Sequence, residues 1–287
     1  MNKKNKPVSV IIPAFNEEEG IEKVLAQLKS LNLGEKSEII VVDDGSTDQT
    51  FRMASINGVK VIRHEQNMGY GAALKTGIRH AKNEIIVITD ADGSYPIKNI
   101  PIILVDMEHA DMVVGARVGK KAHIPFFRKP AKWFINNLAN HLSGIKIPDL
   151  NSGLRAMRKE KVERFFSILP ERFSFTATIT LAFLTNGYSV KYTPIEYYKR
   201  KGKSKIHPIK DTLNFIQLII RTIMYFNPLK IFLPLSFAFF IASATVLIVS
   251  WLSGRVMDIT TIILFVAGIQ LLAIGMIADL IDKRGRL

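Results

Sequence analysis

The stretch EIIVITDADGSYP, residues 84–96, decides the fold. From Ile85 to Thr89 it is an unbroken, mostly β-branched apolar run that leads directly into Asp90-Ala91-Asp92-Gly93. A short apolar run ending in turn residues reads as a buried parallel strand. In open α/β sheets, ligands bind beyond the carboxyl ends of such strands. Two carboxylates one residue apart at that place can share a hard divalent cation with a diphosphate, the partial carboxylate shell that magnesium favours. The same residues also make a plain turn, with Asp90 and Asp92 as turn formers and Gly93 closing it.

Upstream, VSVIIP (residues 8–13) is a short strand running into Ala14-Phe15-Asn16-Glu17-Glu18-Glu19 and a helical pattern through Ile21, Leu25 and Leu28. Asn16 with Glu19 three residues later predicts an N-cap and capping box. A second strand at 39–42 ends in Asp43-Asp44-Gly45-Ser46-Thr47-Asp48, and a helix is expected from about Asp48. Residues 59–63 read as a third strand and 68–81 as a helix of small residues able to pack close to a sheet. Downstream come a strand at 112–115, Arg117, a basic loop through Lys120, Lys121, Arg128 and Lys129, and a short helix at 133–142. DLNSGLR (149–155) reads as a polar loop, 175–185 as a helix and 189–197 as a strand. Strands alternating with helices at this spacing predict a Rossmann-like, mostly parallel α/β sheet with flanking helices.

The chain has 287 residues, 48% of them hydrophobic, and a net charge of +14. That suffices for one good-sized domain and something more. Residues 229–251 and 259–281 are almost purely apolar, each long enough for a bilayer core that needs about 20 residues. The connection Ser253-Gly254-Arg255-Val256-Met257-Asp258 is short, so the pair predicts a transmembrane helical hairpin. Lys230 before it and Lys283, Arg284 and Arg286 after it predict cytosolic ends, and with them a cytosolic N-terminal domain. The apolar run at 8–12 is too short for a secretory signal. There is no cysteine, which excludes disulfides and thiolate metal sites. Basic residues gather beside the apolar segments, so an anionic membrane lipid surface or a phosphorylated substrate, not nucleic acid, is the expected partner. Residues 207–226 are amphipathic, with Ile209, Leu213, Ile216, Ile220 and Ile223 on one stripe, and are expected to lie in the membrane interface. The expected organisation is a catalytic domain at 1–206, an interface helix at 207–227 and the hairpin at 228–287. Gly268 and Gly275 leave homo-oligomer packing of the second span open.

Three acidic turns follow three strands: Glu17, then Asp43 and Asp44, then Asp90 and Asp92. In a parallel sheet they share one edge, where like charges repel unless they hold a cation or hydrogen-bond donors. A nucleoside diphosphate bearing a further group supplies both. A dinucleotide cofactor fits worse. Gly69-Tyr70-Gly71-Ala72-Ala73-Leu74 has leucine where the third small residue belongs, and helix packing explains its glycines better. There is no P-loop. The histidines show no ligand-like spacing.

In order along the chain, VSVIIPAFNEEEGI, VVDDGSTD, NMGYGAALKTGI, ITDADGSYP, GAR, DLNSGLRAM and YKRKGKSK resemble the family 2 glycosyltransferases of GT-A fold. Among these, the chain is most similar to the dolichyl-phosphate mannose and polyprenyl-phosphate glucose synthases, over residues 7–226 or so. The resemblance implies a Mg2+- or Mn2+-dependent hexose transfer from GDP-mannose or UDP-glucose to a polyprenyl or dolichyl phosphate. It places Pro13, Ala14, Phe15 and Glu17 along the nucleotide and Asp43, with Asp44, at the base. Asp90 and Asp92 become the DxD pair, with Ala91 between them, contacting ribose and metal. Arg117 would reach the diphosphate or the acceptor phosphate. Asp149 would lie near the acceptor beside Ser152 and Arg155, and Arg200, Lys203 and Lys205 in a basic segment closing over the diphosphates. Many mannose synthases carry Leu-Gln after the DxD where this chain has Gly93-Ser94, which leaves the sugar and the exact metal shell open.

The expected reaction is in-line displacement at the anomeric carbon with inversion, with Asp92, Asp149 and Arg200 as the catalytic set. Asp149 would be a general base for a hydroxyl acceptor. A phosphate monoester, with a second pKa near 6, is mostly ionised already, and Asp149 then positions the acceptor or metal, or assists weakly as a base. A glycan or lipid hydroxyl acceptor, or a non-catalytic nucleotide-sugar-binding membrane adaptor, are the alternatives.

Overall fold

Along the first strand, Val8, Val10, Ile12 and Ala14 join one apolar cluster and Ile11 the opposite one. A strand buried on both faces has to be sandwiched between helices, and it is. The computed structural model describes residues 6–117, 147–172, 174–197, 220, 224–225, 227–254 and 258–284. Their order is β1 (Val8–Ala14), α1 (Glu18–Ser30), β2 (Glu38–Asp43), α2 (Thr50–Ile56), β3 (Lys60–Arg63), α3 (Tyr70–His80) and β4 (Ile85–Ile88). A 3-10 turn (Ile97–Asn99), α4 (Ile100–Asp106), β5 (Met112–Arg117), β6 (Arg155–Arg158), α5 (Lys159–Glu163), α6 (Phe175–Thr185) and β7 (Val190–Ile195) follow. Two long helices, α7 (Leu229–Leu252) and α8 (Asp258–Arg284), close the described chain.

The sheet runs β3-β2-β1-β4-β6-β5-β7. β1 is parallel to both β2 and β4. The chain therefore winds outward one way to β3 and returns to the other side of β1, which makes the β1/β4 carboxyl edge the switch point where ligands bind in such sheets. Helix α1 packs on one face through Ile21, Val24, Leu25 and Leu28, and α3 and α6 on the other through Leu74, Ile78, Phe175, Ile179 and Phe183. Gly77 lets α3 approach closely, since a Cβ there would lie 2.4 Å from Ile11 Cγ2.

Two sequence expectations are corrected. β6 runs antiparallel between β4 and β5, where the sequence suggested only a polar loop ending at Arg155. Its four residues, RAMR, are half charged, too short and too polar to signal a strand. The capping box does not form. Asn16 has φ 55°, α1 starts at Glu18 with no side-chain cap, and the Asn16 amide oxygen instead accepts the Thr47 N–H at 2.9 Å. The expected helix at 133–142, the basic loop before it and nearly all of the amphipathic stretch 207–226 lie outside the described residues.

Helices α7 and α8 are each long and apolar enough to cross a membrane, and only 11% of each span is buried. They pack on one another in a single register. Ser236 Oγ donates to Gly268 O at 2.8 Å and Ser243 Oγ to Thr261 O at 2.9 Å, so seven residues forward on α7 match seven back on α8. The seam is built of small residues, as helix pairs in lipid require. Cβ atoms at Gly268 and Gly275 would lie 2.6 Å from the Phe240 ring and 2.5 Å from Phe232. Gly268→Leu is expected to force the helices apart and destabilise the hairpin by about 1–3 kcal/mol. Melting in detergent should read this as a lower Tm, against an unchanged Tm for Leu at the exposed Ile269.

Candidate active site

The three acidic turns do converge. In the β1–β2 ladder Ala14 is the partner of Asp43, and the Asp44 N–H donates to Ala14 O at 2.8 Å. The turns after β1 and β2 are cross-braced: the Asn16 N–H donates to Ser46 Oγ at 3.0 Å and the Glu17 N–H to Thr50 Oγ1 at 2.8 Å. Pro13 and Ala14 are buried at the strand end, with Phe15 and Glu17 half-buried beyond it.

Asp43 and Asp44 do different work. Asp44 accepts from His64 Nδ1 at 2.7 Å and from the Met68 and Gly69 N–H groups at 3.0 and 2.7 Å. His64 Nε2 in turn meets Thr76 Oγ1 at 3.0 Å. Asp44 is thus committed to holding the turn before α3. Asp43 is fully buried and accepts from the Ser46 N–H through Oδ1 at 3.2 Å. Its Oδ2 faces Arg63 Nε at 3.2 Å but without hydrogen-bond alignment. Such a carboxylate oxygen retains a lone pair for the N–H of a base.

The glycines before and within α3 serve packing, as the sequence suggested. Gly69 has φ +110°, and a Cβ on Gly71 would lie 2.0 Å from Pro170 O. The Gly71 and Ala72 N–H groups donate to Arg172 O and Glu171 O. That helix N-terminus is closed by protein backbone, not aimed at a phosphate.

The turn after β4 is wedged from both sides. A Cβ on Gly20 of α1 would lie 2.5 Å from Ala91 O, and one on Gly153 would lie 2.7 Å from Asp90 Oδ2. Asp90 Oδ1 accepts the Tyr70 hydroxyl at 3.0 Å, and Asp92 Oδ1 accepts the Ser94 N–H at 2.9 Å. Only oxygen donors are offered, and among the described residues no group of three metal-ligating side chains forms. Two carboxylates of this kind suit Mg2+ or Mn2+ when phosphate and water complete the shell.

Opposite them, loop 149–154 returns over the edge. Arg117, at the end of β5, holds Asp149 bidentately, Nε–Oδ2 at 2.7 Å and Nη2–Oδ1 at 2.8 Å, and its backbone N–H adds a third bond at 3.0 Å. Burial alone would raise the Asp149 carboxyl, but the hydrogen bonds and charge of Arg117 outweigh it and hold the group below the usual carboxylate range. The same pairing overcomes burial at Arg117 and keeps its guanidinium firmly charged. The Arg117 guanidinium also lies over the Tyr197 ring, 5.2 Å from its centroid.

Ser152 and Arg155, expected beside the acceptor phosphate, are instead interior. Both are fully buried. Ser152 Oγ donates to Gly115 O at 2.6 Å. Arg155 donates to Ser152 O at 2.5 and 3.1 Å, to Thr176 O at 3.0 Å and to Thr180 Oγ1 at 2.9 Å. With its donors spent on the protein, Arg155 braces the loop from beneath. Arg200, Lys203 and Lys205 lie outside the described residues.

An acidic edge at a GT-A switch point is matched by the comparison with known families. Residues 9–166 match the model described as glycosyl transferase family 2. The chain belongs to glycosyl transferase family 2. Residues 227–283 match the family described as GtrB C-terminal hairpin, the segment of α7 and α8. A dolichyl-phosphate hexose transferase of Haloferax volcanii is 30% identical over 204 residues, 70% of this chain and 87% of that protein. An undecaprenyl-phosphate 4-deoxy-4-formamido-L-arabinose transferase of Klebsiella pneumoniae is 25% identical over 97% of this chain and 89% of its own. Among solved structures, glucosyl-3-phosphoglycerate synthase from Mycobacterium tuberculosis, in complex with Mn2+, UDP and phosphoglyceric acid, superposes with a TM-score of 0.61 at 21% identity. The superposition covers 77% of this chain and 80% of that one, a likeness of fold. This family 2 chain is accordingly a glycosyltransferase with a mostly parallel GT-A sheet.

Sequence reading missed Tyr70, Tyr95, Gly20 and Gly153, none of which carries charge. The one available signal was position, since Tyr95 directly follows the DxD turn and Gly153 lies in the DLNSGL motif. Arg117→Gln is expected to cost about 3 kcal/mol at pH 7, because it leaves Asp149 buried and unpaired. A depressed carboxyl stabilises above its unfolded pKa of about 3.9 and loses that contribution as pH falls through the folded value. Melting curves of wild type and variant should therefore differ at pH 7 and draw together only as pH falls below about 3.9.

Proposed function

We propose that this glycosyltransferase moves a hexose from a nucleotide sugar to a polyprenyl or dolichyl phosphate at the cytosolic membrane face. The observation that carries the reading is the state of Asp149. A general base for a hydroxyl acceptor needs a pKa near the operating pH, whereas Arg117 holds this carboxyl low. The arrangement suits an acceptor that arrives as an anion and needs no deprotonation. The names of the relatives, both transferases of a lipid phosphate, and the apolar hairpin support the same acceptor.

In this reading Asp43 receives the base, with Pro13, Ala14, Phe15 and Glu17 along the nucleoside. Asp90 and Asp92, flanking Ala91, would hold Mg2+ or Mn2+ between them. The cation, when bound, neutralises charge on the departing diphosphate. Arg117 is charged at all working pH values and offers a fixed cation to the acceptor phosphate, while Asp149 sets its orientation. Arg200, Lys203 and Lys205, basic residues between β7 and the apolar hairpin, would supply positive charge to the diphosphate. Attack of the acceptor phosphate oxygen on the anomeric carbon then expels the nucleoside diphosphate from the opposite face, with inversion.

Radiolabelled UDP-glucose and GDP-mannose, each supplied separately to membranes with polyprenyl phosphate and Mg2+, should test this. One donor is expected to label an organic-extractable, mild-acid-labile lipid, and Asp92→Ala should abolish the label. Asp149→Asn is expected to lower the rate about 10-fold or more without abolishing it. Complete loss would restore the hydroxyl-acceptor reading, in which Asp149 is the base. Absence of lipid label from both donors would overturn the lipid-phosphate acceptor.

A further inference from the structure

Between the turn that carries Asp90 and the loop that carries Asp149 stands one side chain whose role the proposed reaction does not yet use. Tyr95 is buried, and its hydroxyl accepts the Gly153 N–H at 2.7 Å. Gly153 is the residue whose Cα rests against the Asp90 carboxylate, with no room there for a Cβ. The edge of the Tyr95 ring meets Tyr197 at 5.3 Å between centroids, at an interplanar angle of 68°. Tyr197 is the ring under the Arg117 guanidinium, and Arg117 holds Asp149. Tyr95 thus touches a chain of contacts that starts at the metal turn, passes through the acceptor loop and ends at the acceptor-side ion pair. On the far side of Asp90 the Tyr70 hydroxyl makes a separate hydrogen bond, to Asp90 Oδ1.

We propose that Tyr95 is a positioning residue that couples the two halves of the site, so that the placement of Asp90 and the placement of loop 149–154 rise and fall together. The physical basis is the stiffness of the links. The Gly153 N–H is buried and has the Tyr95 hydroxyl as its acceptor, and leaving such a group unpaired is costly. Loop 149–154 therefore moves with the turn after β4. A nucleotide that orders Asp90 and Asp92 then presents Arg117 and Asp149 already in place, and an acceptor phosphate settled on Arg117 returns the favour. Coupling between two ligands is reciprocal. Tyr70 bonds to the Asp90 carboxylate and, among the described residues, its hydroxyl makes no hydrogen bond to loop 149–154.

The proposal rests on the donor and acceptor assignment above, and the experiment separates the two. Full-length protein in detergent, with Mg2+, is titrated with UDP and with GDP, with and without a short-chain polyprenyl monophosphate. If neither nucleotide binds wild type, the functional reading fails, and the role of Tyr95 in it fails too. If a nucleotide binds, the acceptor should change its Kd, and the nucleotide the acceptor's Kd, by the same factor, on the order of 5-fold or more. Tyr95→Phe keeps the ring and removes the hydroxyl. It should bring that factor close to one while each ligand alone still binds, and in turnover it should raise both KM values. Tyr70→Phe should weaken nucleotide binding and leave the acceptor KM and the coupling factor as they were. Independent binding of the two ligands to wild type would overturn the proposal. So would a coupling factor that survives in Tyr95→Phe, or one lost equally in Tyr70→Phe. Melting curves of both variants show whether either change merely reports unfolding.

Discussion

A buried arginine without a carboxylate sets the terms for this site. Arg155 has no exposed surface, and no acidic side chain pairs with it among the described residues. Taking a guanidinium out of water costs several kcal/mol unless its donors are satisfied. Here they are satisfied by two carbonyls, Ser152 O and Thr176 O, and by Thr180 Oγ1. Those acceptors exist only when loop 149–154 is folded back over β5 and α6 is in place. The charge therefore penalises any state in which the loop lifts away. A loop that must present Asp149 within hydrogen-bond distance of Arg117 is fixed from below by electrostatics as well as by the apolar packing of Leu150 and Leu154. The short antiparallel strand β6 is the other half of that anchor, since Arg155 is its first residue and is paired with Ile88 of β4 and Val114 of β5.

Fixing the loop decides what chemistry the acceptor side can do. A carboxylate poised for proton abstraction is normally shielded from cations or desolvated so that its pKa rises. Asp149 is desolvated, yet its three contacts from Arg117 reverse the effect. What remains is a rigid pair with a fixed positive face. A rigid cation beside an acidic edge is useful for aligning an anionic nucleophile, and of little use for activating a neutral one. The division of labour between Asp43 and Asp44 follows the same logic. One carboxylate has its oxygens saturated by backbone N–H groups and His64, and the adjacent one keeps capacity for a ligand.

How much of this was legible in the sequence depended on how far apart the interacting residues lie. The strands β1, β2 and β4 and the helix α6 were readable because their signal is local: apolar runs closed by Gly, Asp and Asn. The convergence of Glu17, Asp43 and Asp90 followed from parallel topology alone. The hairpin was readable from two long apolar runs joined by a short connection. The failures share a cause. β6 is half charged because it supplies a buried arginine, so its pattern mimics a loop. Asn16 looked like a helix cap because its spacing to Glu19 is right, but a neighbouring turn captured its side chain. The placement of Ser152 and Arg155 was carried by motif rather than by contact, and only the three-dimensional partners show them facing inward. Tyr70, Tyr95 and Gly153 act through contacts 20 to 58 residues away in sequence, which no local pattern encodes.

The same loop also faces the hairpin. Ile147 and Leu150, on either side of Asp149, form a small apolar cluster with Ala177, Leu181 and Leu184, and Ile231 near the start of α7 packs against it. Ile231 is the third residue of a helix that is mostly apolar and, away from its serine seam with α8, largely unburied. A span that begins there brings the surface of any bilayer it enters close to the residues that flank Asp149. An amphipathic acceptor with its phosphate at the headgroup level then needs no extraction from the membrane to reach Arg117. In the proposed reaction its charged end meets the Arg117–Asp149 pair while its chain stays in lipid beside α7. The cost of desolvating a long apolar acceptor, about 0.8 kcal/mol for each CH2 exposed to water, is avoided by geometry. A soluble sugar nucleotide has no such constraint. In the proposed reaction the position of Ile231 therefore lets the lipid acceptor approach the Arg117–Asp149 pair from the membrane side.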